Sequence, residues 1–109
     1  MAEPATQIRS CPEADEVIAI LRAHEPELRA AEIKRLSLFG SVARGDAGPD
    51  SDVDLAAELD RTARIGLIEL IGLEQRLEEL VGRKVDLLPE PVEKARLRAK
   101  IERDGKRAF

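Results

Sequence analysis

The sequence is poor in aromatic, histidine and cysteine side chains. It has no tryptophan or tyrosine, two phenylalanines, one histidine and one cysteine. A single cysteine excludes an internal disulfide and a cysteine-rich zinc site. A core must then be built from leucine, isoleucine, valine and alanine, and an apolar content of 43% makes this possible. We assign no function to Cys11 or His24.

Long apolar runs and an excess of positive charge are also missing. No segment is long enough to cross a bilayer, and no signal-peptide pattern is present. The formal net charge of −4 argues against a general nucleic-acid binder, which would be basic. A length of 109 residues suits one domain. We therefore expect a single domain over residues 10–109, after a disordered tail over residues 1–9.

Apolar periodicity predicts a mixture of helices and strands. Helical spacing follows a start signal at Ser10, and Pro26 marks a break. The expected strands are residues 33–39, 52–59 and 84–88. Ala56, Ala57 and Glu58 are expected to shorten the second strand.

Further helices are predicted after each of these strands. A short helix over residues 42–44 follows the first. An amphipathic helix over residues 70–81 ends at Gly82 and has a solvated face, formed by Glu74, Arg76, Glu78 and Glu79. Pro89 and Pro91 are expected to interrupt the chain before a basic helix over residues 92–103. This basic segment is either a solvated surface or a surface that attracts an acidic partner or a triphosphate.

Gly40 and Ser41 stand where the first apolar strand ends. Glycine lets the backbone turn sharply and approach a ligand closely, because it has no Cβ. Ser41 offers a hydroxyl and a backbone N–H at the start of a short helix, an arrangement suited to an anion such as phosphate. Arg44 lies one turn later, where its guanidinium can reach a phosphate oxygen or pair with Asp46.

Two aspartates follow after a glycine- and proline-containing turn. Because strand side chains alternate, Asp52 and Asp54 fall on one face, while Val53 and Leu55 point to the core. Carboxylates about 6.5–7 Å apart along a strand can share one hard cation, or two. A phosphate site followed by a metal-binding carboxylate pair is what nucleotide chemistry requires.

These residues resemble the signature of the polymerase-beta-type nucleotidyltransferases. The pattern is Gly40-Ser41, ten residues, then Asp52-x-Asp54. The wider strings Leu-Phe-Gly-Ser-x-Ala-Arg-Gly and Ser-Asp-x-Asp-Leu are similar to the small prokaryotic branch, the minimal nucleotidyltransferases. The resemblance implies an α/β (α+β) fold with a small mixed sheet and helices mainly on one face.

The resemblance also implies a third carboxylate on a later strand, which Asp86 matches. Asp52, Asp54 and Asp86 would hold two Mg²⁺ ions, and Asp86 has a second possible role as the base for the attacking hydroxyl. Gly40 and Ser41 would bind the β- and γ-phosphates. We expect transfer of AMP from ATP, although nothing in the motif reads the base. The cytoplasm would supply ATP and Mg²⁺.

About twenty residues follow Asp86, so we expect the acceptor surface to come from a partner or a second copy. Similar minimal nucleotidyltransferases pair with a small helical toxin of the HEPN type, and some adenylylate a tyrosine of it. The implied function is an adenylylating antitoxin. Two alternatives remain open: a non-catalytic module that masks its partner, and a standalone transferase acting on a small molecule or an RNA 3′ end.

Overall fold

A computed structural model describes residues 13–60, 65–90 and 94–109. Five helices and four strands lie in these ranges. The helices are α1 (Ala14–Ala23), α2 (Glu25–Ala30), α3 (Gly40–Arg44), α4 (Leu67–Val81) and α5 (Ala95–Asp104). The strands are β1 (Ile33–Phe39), β2 (Val53–Leu59), β3 (Val85–Glu90) and β4 (Lys106–Arg107). The predicted tail at residues 1–9 and the helix start at Ser10 lie outside the described residues.

The strands form one mixed sheet in the order β3-β2-β1-β4. β1 is antiparallel to both β2 and β4, whereas β2 and β3 are parallel. A parallel pair needs a crossover connection, and α4 lies between these two strands in the chain. The predicted α/β fold with a small mixed sheet is therefore confirmed. None of the described helices is both long and apolar enough to cross a membrane.

The hydrophobic core lies between one face of the sheet and the helices α1 and α4. The strands β2 and β3 contribute alternate side chains to it, as period-two patterning requires. The fully or nearly fully buried members include Val17 and Leu21 of α1, Leu73, Leu77 and Val81 of α4, and Leu36, Leu38, Val53, Leu55, Val85 and Leu87 of the sheet. Gly82 ends α4 in the left-handed conformation with φ 72°, which confirms its predicted role as the C-terminal cap.

Two strand boundaries differ from the prediction. β2 begins at Val53, so Asp52 lies immediately before the strand. The alanines do not shorten it, because β2 pairs with a neighbour on each side, and Ala56 and Ala57 are fully buried. The expected interruption at Pro89 was wrong, since β3 runs through it to Glu90.

The position of β3 at the edge of the sheet explains why it tolerates proline. The N–H groups of Val85 and Leu87 point away from β2 and donate to side chains of α4. Pro89 continues this alternation, so the N–H group that it lacks would not have bonded to β2.

Glu74 and Glu78 are not merely solvated, as the sequence pattern indicated. Glu74 Oε2 accepts a hydrogen bond from Leu87 N, and Glu78 Oε2 accepts one from Val85 N, both at 3.1 Å. Arg76 pairs with Glu27 of α2, with Nη2 3.0 Å from Oε1. These contacts cover the free edge of β3 and join α4 to α2.

The short strand β4 was not predicted. Ala108 N donates to Leu36 O at 2.8 Å, and Leu36 N donates to Phe109 O at 3.1 Å. The Phe109 side chain is buried, and the Arg29 guanidinium lies 5.0 Å from the centre of its ring. The segment after α5 therefore completes the sheet beside β1.

Replacing both Glu74 and Glu78 with alanine should destabilise the fold. Each lost hydrogen bond leaves a backbone N–H of β3 without its partner, at a cost of about 0.5–1.5 kcal/mol. The double variant should therefore lose about 1–3 kcal/mol, as measured by urea denaturation. The matched control is Glu79→Ala on the same helix, whose side chain is 69% exposed. Equal stability of the double variant and this control would contradict the assignment.

Candidate active site

A cleft of about 320 Å³ opens on the face of the sheet opposite the main core. Asp54 and Asp86 point there because they alternate with the core residues of β2 and β3. One helix, α5, covers part of this face. The cleft is lined by Phe39, Gly40, Ser41, Arg44, Asp54, Asp86, Leu88, Leu97 and Lys100.

The parallel pairing of β2 and β3 brings two of the predicted carboxylates side by side. Asp54 and Asp86 are register partners. Asp52 precedes β2, is exposed, and does not line the cleft. It nevertheless lies close enough for its charge to act on Asp54. The structure therefore brings Asp54 and Asp86 together and leaves Asp52 outside the cleft.

The electrostatic environment of Asp54 is unfavourable for its charged form. Partial burial raises its pKa above the ordinary value, and the negative charges of Asp86 and Asp52 raise it further. The positive charges of Arg44 and Lys100 act in the opposite direction without cancelling the effect. The site thus holds a concentration of negative charge that a cation would relieve.

Gly40 connects the end of β1 to the start of α3 and lies beside the Asp54 carboxylate. Its φ of +78° lies in the region that favours glycine, and a Cβ built on it would overlap the carboxylate of Asp54. Glycine is therefore required twice, by the backbone conformation and by the close approach of the Asp54 side chain. The predicted sharp turn is present at Gly40, and the group that comes close to it is the Asp54 carboxylate; the expected close approach of a ligand stays a prediction.

Ser41 follows in the first turn of α3 and lines the same cleft. Its carbonyl oxygen accepts a hydrogen bond from Asp46 N at 2.9 Å. Within the described ranges, its hydroxyl makes no hydrogen bond to another residue. The structure therefore brings Ser41 to the carboxylates, with its hydroxyl available to a ligand.

Arg44 lines the cleft but is already paired. Its Nε lies 3.1 Å from Asp46 Oδ2, so the pairing with Asp46 that the sequence analysis gave as one alternative is present. Its Nη1 also lies 3.0 Å from Oδ2 of Asp104, a residue of α5 that the sequence analysis did not single out. The Asp104 side chain is 6% exposed, and its hydrogen bonds from Arg103 and Arg44 lower its pKa. These ion pairs fix α3 against α5.

Two further features of the site were missed from sequence. Arg83 Nη1 donates to Pro49 O at 2.7 Å and to Ser51 O at 3.3 Å, so it holds the turn that precedes Asp52. Leu97 and Lys100 of α5 line the cleft itself. Residues 97, 100 and 104 recur at helical spacing and so share one face of α5, a signal that the sequence contained.

The donor set at this site suits a hard divalent cation. Magnesium prefers carboxylate oxygens, and here the negative charges of Asp86 and Asp52 act on Asp54. In the part of the chain that the structure describes, no group of three or more His, Cys, Asp or Glu side chains is close enough to form a ready metal site. It is the chemistry and charge of the donors that favour a cation, because a divalent ion would remove the repulsion around Asp54.

Residues 15–108 match the nucleotidyltransferase domain family, and the chain belongs to it. The family that the motifs indicated is thereby confirmed, and the protein is a nucleotidyltransferase.

Among its relatives is the protein adenylyltransferase MntA of Thermococcus cleftensis. The two are 40% identical over 75 residues, which cover 68% of this chain and 74% of the relative.

Solved structures show the same fold. One, assigned to a minimal nucleotidyltransferase, is 31% identical with a TM-score of 0.70, covering 86% of this chain and 94% of that one. Another contains a tri-AMPylated HEPN toxin of Shewanella oneidensis in complex with the MNT antitoxin. It matches at 20% identity with a TM-score of 0.61, covering 84% of this chain and 71% of that one, and this match shows only that the fold is shared.

Replacing Gly40 with alanine should destabilise the protein more than the same change at Gly45. Both glycines have positive φ, 78° and 83°, but an added Cβ meets the Asp54 carboxylate at Gly40 and nothing at Gly45. Gly45→Ala should cost about 1–2 kcal/mol for the backbone conformation alone. Gly40→Ala should lower the free energy of unfolding by more than Gly45→Ala does, because the Asp54 carboxylate must also move. Urea denaturation measures both changes.

A double-mutant cycle separates the effect of the contact between Gly40 and Asp54 from the effect of the backbone conformation. In an Asp54→Ala background, the cost of Gly40→Ala should fall toward that of Gly45→Ala, because the obstructing carboxylate is gone. The close approach of Gly40 to Asp54 is contradicted if Gly40→Ala costs no more than Gly45→Ala in the unaltered chain.

Asp54→Asn should stabilise the metal-free protein at neutral pH. The folded state raises the pKa of Asp54, so its charge opposes folding above that pKa and does not oppose it when the group is protonated. Removing a like charge from opposing strand positions is worth about 0.5–1 kcal/mol. Urea denaturation in chelator should show this gain at pH 7, and the gain should shrink as the pH falls toward the ordinary pKa of aspartate.

The matched control is Asp50→Asn, which removes an exposed charge from the nearby turn. This variant should leave stability unchanged at either pH. A loss of stability in Asp54→Asn, or a gain that does not vary with pH, would contradict the electrostatic account of the site.

Proposed function

We propose that this nucleotidyltransferase transfers AMP from ATP to a hydroxyl group of a HEPN-type partner protein, and so acts as its antitoxin. The observation that carries the proposal is the cleft in which Ser41 faces the paired carboxylates Asp54 and Asp86. The resemblance to MntA, which is named a protein adenylyltransferase, supports AMP as the transferred group. The AMPylated HEPN toxin seen with an MNT antitoxin supports the class of acceptor.

Gly40 and Ser41 bind the β- and γ-phosphates in this proposal. Gly40 keeps the backbone beside the carboxylates, and the Ser41 hydroxyl, which bonds to no other described residue, donates to a phosphate oxygen. Arg44 is held by Asp46 and Asp104, so it contributes a fixed positive charge at the cleft wall. The triphosphate is thus oriented from the side of α3.

Asp52, Asp54 and Asp86 hold two Mg²⁺ ions in the same proposal. When bound, magnesium supplies positive charge that stabilises the charge developing on the transferring phosphoryl group. Repulsion among the carboxylates explains why these residues favour divalent ions over solvent. Asp86 also accepts the proton of the acceptor hydroxyl if it serves as the base.

The reaction requires no covalent intermediate with this chain. The acceptor oxygen forms a bond to the α-phosphorus, and the bond from that phosphorus to the bridging oxygen breaks. Pyrophosphate leaves, and the hydroxyl proton passes to Asp86 or to solvent. A tyrosine of the partner is the proposed acceptor, in a cytoplasmic reaction where ATP and Mg²⁺ are available.

Radiolabel transfer tests the proposal directly. The full chain is incubated with α-labelled ATP, Mg²⁺ and a HEPN-type protein from the same genome. Label should appear on the partner, and mass spectrometry should locate AMP on a hydroxyl side chain. Asp52→Asn, Asp54→Asn and Asp86→Asn should each reduce the rate at least about a hundredfold, because each removes a carboxylate that would hold the magnesium acting on the transferring phosphate.

Asp50→Asn is the matched control, since it removes a neighbouring exposed charge outside the site, and it should retain the full rate. Partner toxicity provides the second readout. Neutralisation that survives Asp52→Asn without any label would overturn the transferase proposal in favour of masking by binding. Label on RNA in the absence of a partner would instead identify a standalone transferase.

A further inference from the structure

The helix α5 forms one wall of the cleft, facing the carboxylates. Leu97 and Lys100, three residues apart on the same helical face, line it together with Ser41, Asp54 and Asp86. One turn further on, Asp104 pairs with Arg44 and so fixes the helix against α3. Lys100 is therefore presented to the cleft by an element that is tied to the phosphate-binding turn.

Arg44 and Lys100, the two cations among the described residues that line the cleft, differ in their partners. Arg44 is engaged by Asp46 and Asp104. Lys100 forms no ion pair or hydrogen bond with any other residue of the described ranges, although its charge acts on Asp54. Its side chain is exposed, so the ammonium group keeps its hydration and its mobility. Of the described cations that line the cleft, Lys100 is the one available to a ligand.

The chemistry of the cleft indicates which ligand this lysine meets. An acceptor hydroxyl is neutral and gains little from an ammonium group, whereas a triphosphate carries several negative charges beside three carboxylates. A lysine is a compact charge with three donors on a flexible stem, which suits phosphate oxygens. It can also reduce the repulsion between the incoming triphosphate and the aspartates.

We propose that Lys100 is a substrate-binding residue that contacts the phosphate chain of the nucleoside triphosphate from the α5 wall of the cleft. This inference rests on the proposed function, because it assumes that the cleft takes a triphosphate. It adds a contact outside the Gly-Ser and Asp-x-Asp motifs, and makes α5 part of the nucleotide site.

Nucleotide binding without turnover tests the contact. The dissociation constants of ATP and AMP are measured by titration calorimetry in Mg²⁺ for the unaltered chain, Lys100→Ala and Lys100→Arg. Lys100→Ala should weaken ATP binding by about tenfold or more, since a charge-assisted hydrogen bond is lost. AMP, with fewer charges, should be affected much less. Lys100→Arg should recover most of the ATP affinity because it keeps the positive charge.

Arg98→Ala is the matched control, because it removes the same charge from an exposed position of α5 that does not line the cleft. It should change ATP affinity less than about threefold, the size of a screened long-range effect. Thermal unfolding should show that Lys100→Ala folds as the unaltered chain does, since Lys100 is exposed. Unchanged ATP affinity in Lys100→Ala, or an equal loss in Arg98→Ala, overturns the inference.

The design separates this inference from the proposed function. If the unaltered chain binds ATP but does not label its partner, the transferase proposal fails while the affinities still decide the role of Lys100. If partner labelling succeeds and Lys100→Ala keeps full ATP affinity, the function stands and the lysine contact fails. If the unaltered chain binds no triphosphate, both are overturned.

Discussion

The parallel register of β2 and β3 is the constraint on which the site depends. It sets Asp54 beside Asp86 on one face of the sheet, while Val53, Leu55, Val85 and Leu87 are buried on the other. Burial of the apolar side chains fixes the register, since a slip of one residue would turn every one of them to the opposite face. The core therefore holds two like charges together that would otherwise separate. The raised pKa of Asp54 reflects its partial burial first, and then that enforced proximity.

A glycine turn and a pair of hydrogen bonds then hold the loops at the end of the sheet in place. Gly40 lets α3 begin in contact with the Asp54 carboxylate, where any larger residue would collide with it. Arg83, one residue beyond the C-terminal cap of α4, bonds to two carbonyl groups of the turn before Asp52. The positions of Ser41 and Asp52 are thus tied to the same sheet that carries Asp54 and Asp86, although both residues lie outside the strands.

Sequence reasoning succeeded where a local pattern decided the structure. The Gly-Ser turn, the alternation around Asp54, the cap at Gly82 and the strand carrying Asp86 all depend on neighbours along the chain. Sequence reasoning failed where contacts between residues far apart in the chain determine the structure. Glu74 and Glu78 were expected to be solvated, because nothing in the local sequence shows that an edge strand passes beside them. The roles of Asp104, Lys100 and β4 depend on α5 crossing the sheet. Helical spacing places residues 97, 100 and 104 on one face of α5, but it does not show that this face meets the cleft. The expected break at Pro89 was wrong for the same reason, because the position of β3 at the edge of the sheet is what allows a proline there.

The distribution of charge within the cleft explains why α5 belongs to the site. The charged side chains that β2 and β3 contribute to the described lining of the cleft are both carboxylates, and they would repel the proposed triphosphate. The positive charge comes from α3 and α5. Arg44 and Lys100 act to lower the pKa of Asp54, whereas its acidic neighbours raise it. Because Asp104 binds Arg44, the two basic walls form one unit. A chain of net charge −4 can therefore hold an anionic substrate, since the sign that matters is that of the wall facing the phosphates.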